Sequence, residues 1–187
     1  MATKVLLPLA EGFEEIEAVT LIDVLRRGGV DVEVHYIGDS SLVKGANGIS
    51  VNGDYIIDDA SSDNFDMIVL PGGWDGTNIL ATNEKVQSLL KEFKEQDKYV
   101  AAMCAAPYAL HCAGVLSQNF TCYPSVEEQI RTDGYDPTQK VVQDGKVITS
   151  RGPGTAICFG LALVRILQGD ETYNMLLGGL LAEYCKD

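Results

Sequence analysis

The sequence predicts an α/β sandwich built on a mostly parallel sheet, with small antiparallel hairpins added to it. Three observations lead there. Short apolar runs at residues 4–9, 67–70 and 99–103 have the composition of strands buried on both faces. Segments with helical spacing alternate with such runs, at 14–27, 83–96 and from 105 onward. Asn-Gly at 47–48 and 52–53 and Asp-Gly at 144–145 mark tight turns between β-prone runs.

Taken in order, residues 4–9 form the first buried strand and 10–13 a loop. The helix expected over 14–27 draws its apolar surface from Ile16, Val19, Leu21, Val24 and Leu25. Acids crowd its start, and Arg26 and Arg27 its end, as the helix dipole favours; Gly28 and Gly29 stop it. Residues 31–37 alternate and read as a second strand, which completes a right-handed β-α-β unit. Residues 45–57 read as a small antiparallel addition. A strand at 67–70 ends at Pro71, Gly72 and Gly73, and a helix follows over 83–96. Ser125 with Glu128 has the spacing of a capping box, so a helix is expected to start there. Residues 141–149 form a second hairpin, 151–155 a loop, 156–168 a helix and 170–184 a last helix.

The length of 187 residues suits one domain over 1–187 with a sizeable core. Fourteen Lys plus Arg against 27 Asp plus Glu leave a net charge of −13, which argues against a nucleic-acid surface. The opening stretch lacks the length and cleavage pattern of a signal peptide, and no apolar run is long enough to span a membrane. The five cysteines, Cys104, Cys112, Cys122, Cys158 and Cys185, are odd in number and form no CxxC pair. The expectation is a cytoplasmic protein in a reducing compartment, with neither a disulfide framework nor a zinc site.

The stretch YVAAMCAAPYALHCAG, residues 99–114, concentrates the chemistry. A buried strand, a sharp turn among small alanines and a helix meet at Cys104, in the manner of a nucleophile elbow. Unpaired amides and the positive end of the helix dipole favour a thiolate there. The plainer reading is a core cysteine packed as a small hydrophobe. In parallel sheets the site lies beyond the carboxyl ends of the strands. That rule brings residues 11–17, Gly72, Gly73 and Cys104 together.

At those loops the sequence resembles the ThiJ/PfpI superfamily, closest to its DJ-one-like branch. The matching stretches are AEGFEEIEAVTLIDVLRRGG from Ala10, VLPGG from Val69, VAAMCAAP from Val100 and TSRGPGTA from Thr149. The resemblance implies a flavodoxin-like, class I glutamine amidotransferase-like three-layer sandwich, usually a homodimer. By position it implies Cys104 as a nucleophilic, oxidation-sensitive cysteine and Glu17 as the acid beside its sulfur. Gly73 and Ala105, helped by Gly72, would offer backbone N–H groups to an oxyanion. The implied activity is that of a glutathione-independent glyoxalase III or protein deglycase, acting on methylglyoxal, glyoxal or early glycation adducts, with no cofactor and no metal. A different class is implied as well: a non-enzymatic oxidative-stress sensor and redox-regulated chaperone that uses the same cysteine.

Without the resemblance, Glu17 is one of three acids near a helix start, and the glycines at 72–73 and 152–154 read as turns. Arg151 is a marginal candidate for touching substrate. Many members carry a histidine beside the cysteine, and here Tyr123 of Thr-Cys-Tyr-Pro stands in that place, as a substrate contact or as packing. His35 lies in an alternating strand and His111 about 10 Å along the helix from Cys104, so both read as structural. Ala105 occupies the position where peptidase and amidotransferase relatives carry histidine, which argues against those activities. Cys122 is a candidate resolving thiol for an oxidised Cys104.

Overall fold

Residues 3–186 are described by a computed structural model, in which a seven-stranded sheet runs β5-β2-β1-β6-β7-β9-β8. Its centre is the set of apolar runs: β1 (Lys4–Leu9), β6 (Met67–Leu70) and β7 (Tyr99–Met103). β2 (Asp31–Tyr36) and β6 flank β1 in parallel, β7 pairs with β6, and β9 (Val147–Ser150) pairs with β7, also in parallel. The chain goes to one side of β1 first and to the other afterwards. The carboxyl ends of β1 and β6 therefore straddle a topological switch point, where an open parallel sheet leaves a crevice.

The strands alternate between two cores, as a period of two requires. Val5, Leu7, Leu9, Met67, Val69, Ala101 and Met103 face one side, where Leu21, Val24 and Leu25 of α1 (Glu15–Arg27) meet Phe159, Leu163 and Val164 of α6 (Ala156–Gln168). Leu6, Ile68, Leu70, Val100 and Ala102 face the other, against Val86, Leu89, Leu90 and Phe93 of α3 (Glu84–Glu95). These two helical layers about the sheet make the three-layer sandwich.

Several boundaries depart from the sequence reading. The addition at 45–57 splits: β3 (Leu42–Lys44) and β4 (Ser50–Asn52) form a separate antiparallel ribbon turned at Asn47 and Gly48, whereas β5 (Tyr55–Ile56) joins β2 in parallel. An unforeseen helix, α2 (Trp74–Thr82), follows Gly73 directly. Beyond Cys104 the elbow passes through a turn into α4 (Pro107–Cys112). Ser125 caps nothing. Its φ is +80°, and the short α5 (Glu127–Ile130) starts without a side-chain cap. The hairpin of β8 (Val141–Asp144) with β9 forms as read. The last helix, α7 (Asp170–Gly179), stops five residues short of 184, where Leu181 turns left-handed at φ +54°.

The cysteine expectation needs one correction. Cys158, in the first turn of α6, is disulfide-bonded to Cys185 near the C-terminus, 27 residues on. Spacing carried no trace of this pair, because it is made by the packing of the C-terminal turn on α6. Cysteine usage therefore no longer speaks for a reducing compartment. Among the described residues no helix is long and apolar enough to cross a membrane.

Candidate active site

Cys104 sits at φ +59°, a left-handed conformation that a non-glycine residue adopts at a cost. The elbow is held from both sides. The Cys104 N–H donates to Ser150 O at 3.0 Å, at the end of β9, and Cys104 O accepts from Tyr123 N at 2.9 Å. The side chain is buried, and the amides of Gly73 and Ala105 face its sulfur.

Glu17 reaches the same point from α1. Glu14 caps that helix, accepting the Glu17 N–H at 2.8 Å, and the Glu14 N–H donates to Gly72 O at 2.9 Å. Glu17 itself is 0 % exposed, and its Oε2 accepts the Gly72 N–H at 2.8 Å. Its Oε1 is buried without a hydrogen-bond partner. Two glycines make this approach feasible. A Cβ on Gly72 would lie 2.6 Å from Glu17 Oε2 and 3.1 Å from Cys104 Sγ. Gly73 has φ +92°, and a Cβ there would lie 2.4 Å from Gly12 O.

Burial pushes the Glu17 carboxyl up to about 7, with a smaller push from the Glu14 charge; the Cys104 and Gly72 hydrogen bonds pull the other way. The Cys104 thiol is also pushed up, by burial and then by the charge and hydrogen bond of Glu17, against the pull of the Gly73 and Ala105 amides. This corrects the expectation of a thiolate favoured outright by the helix start. Amides do face the sulfur, but burial beside a carboxylate outweighs them. A pocket that disfavours both anions keeps the thiol protonated and holds a second proton on Glu17 up to about 7. With that proton on Glu17, the carboxylate's push on the sulfur vanishes and the two amides remain.

Of the sequence-predicted residues, Cys104, Glu17, Gly72, Gly73 and Ala105 come together. Gly72 has a different use from the one expected: its N–H is spent on Glu17 and is not free for an oxyanion. Tyr123 adjoins the elbow through its backbone, and its ring packs on Gly152 at the edge of a shallow cavity of about 190 Å³ that Arg151 also lines. The Arg151 guanidinium bonds instead to Tyr135, and its Nε is buried without a partner. Cys122 is buried with its sulfur 4.0 Å from Glu127 Oε2, and its thiol is pushed up to about 12, chiefly by burial. His35 is a buried strand residue, with Nδ1 3.2 Å from Ile56 O and Nε2 3.1 Å from Glu33 Oε2. His111 is exposed and its ring lies against Tyr108.

Sequence reasoning missed the capping role of Glu14, which carries no motif. Among the described residues no three His, Cys, Asp or Glu side chains converge as a metal cage requires. A cavity of about 720 Å³ is lined by Lys4, Glu33, Phe65, Asp66 and Lys98, near the start of β1 and away from the thiol. The choice of site rests on chemistry and not on cavity size.

Comparison with known proteins agrees with this fold. The DJ-1/PfpI family matches residues 3–166. Drosophila melanogaster protein dj-1beta is 38 % identical over 186 residues, covering 98 % of this chain and 100 % of the relative. A Caenorhabditis elegans protein named glutathione-independent glyoxalase DJR-1.2 is 38 % identical over 92 % of each chain. The crystal structure of Drosophila melanogaster DJ-1beta superposes with a TM-score of 0.93 over 97 % of this chain and 98 % of that one. That of oxidized Toxoplasma gondii DJ-1 does so with 0.92 at 35 % identity, over 96 % and 98 %. The chain belongs to the DJ-1/PfpI family.

Proposed function

We propose that the chain is a glutathione-independent glyoxalase that converts methylglyoxal or glyoxal to the hydroxy acid, with early glycation adducts as further substrates. Cys104 is its nucleophile and Glu17 its proton carrier. The observation that carries the reading is the fully buried Glu17 with an unpartnered Oε1 beside a sulfur that two amides face. A buried carboxylate oxygen without a donor is costly, whereas a carboxylic acid there is a ready donor. The nematode relative bearing the glyoxalase name supports the reaction class.

In the first step the Cys104 sulfur bonds to the aldehyde carbon of methylglyoxal, and the carbonyl electron pair moves onto oxygen. The Gly73 and Ala105 amides are the donors for that oxygen, which a proton converts to a hemithioacetal hydroxyl. Glu17 then moves a proton from the former aldehyde carbon to the neighbouring carbon through an enediol, leaving a thioester. Water breaks the C–S bond, releasing lactate and restoring the thiol, so the sum is methylglyoxal plus water.

The test is lactate formation without glutathione by wild type, Cys104→Ala and Glu17→Gln. Wild type is expected to turn over and Cys104→Ala to lose about a thousandfold or more. A wild type no faster than Cys104→Ala overturns the reading. In that case the same donors favour the sensor, because Gly73, Ala105 and a protonated Glu17 suit the oxygens of a Cys104 sulfinate. Peroxide treatment followed by mass spectrometry would then show the sulfinate on Cys104, without a link to Cys122.

A homodimer fits the same reading. Ile16 and Val19 on α1 are 58 % and 46 % exposed, an apolar face adjoining the site helix. Light scattering at micromolar protein is expected to give twice the chain mass of 20.2 kDa; a single species of 20.2 kDa overturns it.

A further inference from the structure

We infer that the Cys158–Cys185 disulfide is a redox latch. A dithiol reductant opens it, and the opening frees the C-terminal turn and loosens the backing of the Cys104 elbow. The bond joins the first turn of α6 to the short turn Glu183–Cys185, which has weak anchors of its own. Leu181 and Tyr184 are 84 % and 54 % exposed, and what the segment 180–186 buries is Ala182 and Cys185 itself. Small side chains remove little apolar surface from water, so the covalent bond supplies much of the hold. A second tie is Lys140 Nζ, which donates to Tyr184 O.

Both ties lead to Ser150, the fully buried residue behind the elbow. Ser150 O accepts the Cys104 N–H, and Ser150 Oγ donates to Lys140 O at 2.7 Å. Lys140 thus bridges the C-terminal turn and the end of β9. From the other half of the disulfide, Cys158 stands three residues past Thr155, whose Oγ1 lies 2.8 Å from Ser150 Oγ and accepts the Gly152 N–H at 3.1 Å. A chain of contacts does not by itself couple two places. An element with two states at one end does, and the disulfide is such an element.

The surroundings suit thiol exchange. Cys158 and Cys185 line a hollow of about 50 Å³ together with Lys140, Arg165 and Tyr173. Cations beside a disulfide favour the thiolate that leaves when the bond is attacked. A thiolate of the dithiol bonds to one sulfur, the S–S bond breaks, and the other sulfur leaves with the electron pair and takes up a proton. The second thiolate of the dithiol then breaks the mixed disulfide, and the sulfur it releases is protonated in turn. The reductant ends as a cyclic disulfide, and Cys158 and Cys185 end as thiols. The latch rests on the proposed function in one point, that Cys104 is the reactive thiol it governs.

The test compares protein purified without reductant, protein reduced with dithiothreitol and desalted, and the Cys158→Ser/Cys185→Ser double variant. Maleimide labelling after denaturation is expected to count three thiols in the first and five in the second. Hydrogen exchange read by mass spectrometry is expected to rise about tenfold or more over 180–186 in the reduced protein and in the double variant, with β1 unchanged. Alkylation of Cys104 by iodoacetamide, read on its own peptide, is expected to rise about threefold or more in both. Five thiols before reduction, unchanged exchange over 180–186, or a Cys104 rate that does not rise overturns the latch. The two readings fail separately, because alkylation of Cys104 requires no turnover: these rates uphold the latch if lactate formation fails, and lactate formation upholds the glyoxalase if the rates do not move.

Discussion

Glu15 and Glu17 stand two residues apart in the first turn of α1, and both are buried, at 5 % and 0 % exposure. Their surroundings differ in depth and in the number of donors. Glu15 accepts from Asn47 N at 2.6 Å, Asn47 Nδ2 at 2.9 Å and Ile49 N at 3.3 Å. Burial raises its pKa, but those donors outweigh burial and hold the carboxyl below its usual range. Glu17 has the Gly72 amide on Oε2, the Cys104 thiol beside it and no partner on Oε1, and burial pushes it up to about 7. The first is a clamp that fastens the turn of the β3–β4 ribbon to α1. The second is an acid held in reserve beside a thiol. Burial alone does not make a carboxyl chemically useful; burial with an oxygen left unpaired does.

The largest expected effect separates the two in activity. Glu17→Gln, which keeps the shape but cannot carry the proton, should lower lactate formation by about a hundredfold to ten-thousandfold. Glu15→Gln should stay within about threefold of wild type. Comparable losses in both variants would break the comparison.

The next effect is on stability against pH. The unfolded chain releases the Glu17 proton near 4.5, and the native state holds it to about 7. Between those values the native state binds the extra proton, so rising pH takes stability away, and the cost is complete above the upper value. Glutamine does not titrate. Urea denaturation should therefore show Glu17→Gln gaining on wild type by about 3 kcal/mol across that window. A constant difference between the two proteins would contradict a raised pKa.

Glu15→Ala is expected to cost about 2–3 kcal/mol, because it leaves the Asn47 and Ile49 amides without an acceptor. Asn83→Ala sets the scale for a single capping bond. Its side chain accepts only the Val86 N–H, and its loss should cost about 1 kcal/mol in the same assay. Equal costs would mean that the donor count at Glu15 carries no weight.

Most of the scaffold was legible in the sequence, because burial on both faces leaves an unbroken apolar run and a helix on a sheet keeps its period. β1, β6, β7 and α6 fall where those patterns put them. Cys104 was legible for a related reason, since strand, small-residue turn and helix meet at one residue. α2 was not. It opens Trp-Asp-Gly-Thr-Asn, a loop-like string, and Gly76 is there because a Cβ would lie 3.0 Å from Phe13 N. The capping pattern at Ser125 misled because that residue takes a left-handed backbone in place of the extended one an N-cap needs, and α5 starts without a side-chain cap. Glu14, Glu15 and Glu17 look alike in one dimension; only contacts with Gly72 and with Asn47, remote in sequence, give them different work. The Cys158–Cys185 bond was illegible on the same ground.

The most direct test of the Glu17 assignment is an infrared titration of its carboxyl, taken as the difference between wild type and Glu17→Gln across the pH range. A protonated carboxylic acid band that persists to neutral pH, with a midpoint near 7, is the expected result. A band lost at the ordinary carboxylate value near 4.5 would contradict it. Glu17 would then be a plain buried anion, and the proton transfer assigned to it would need another carrier.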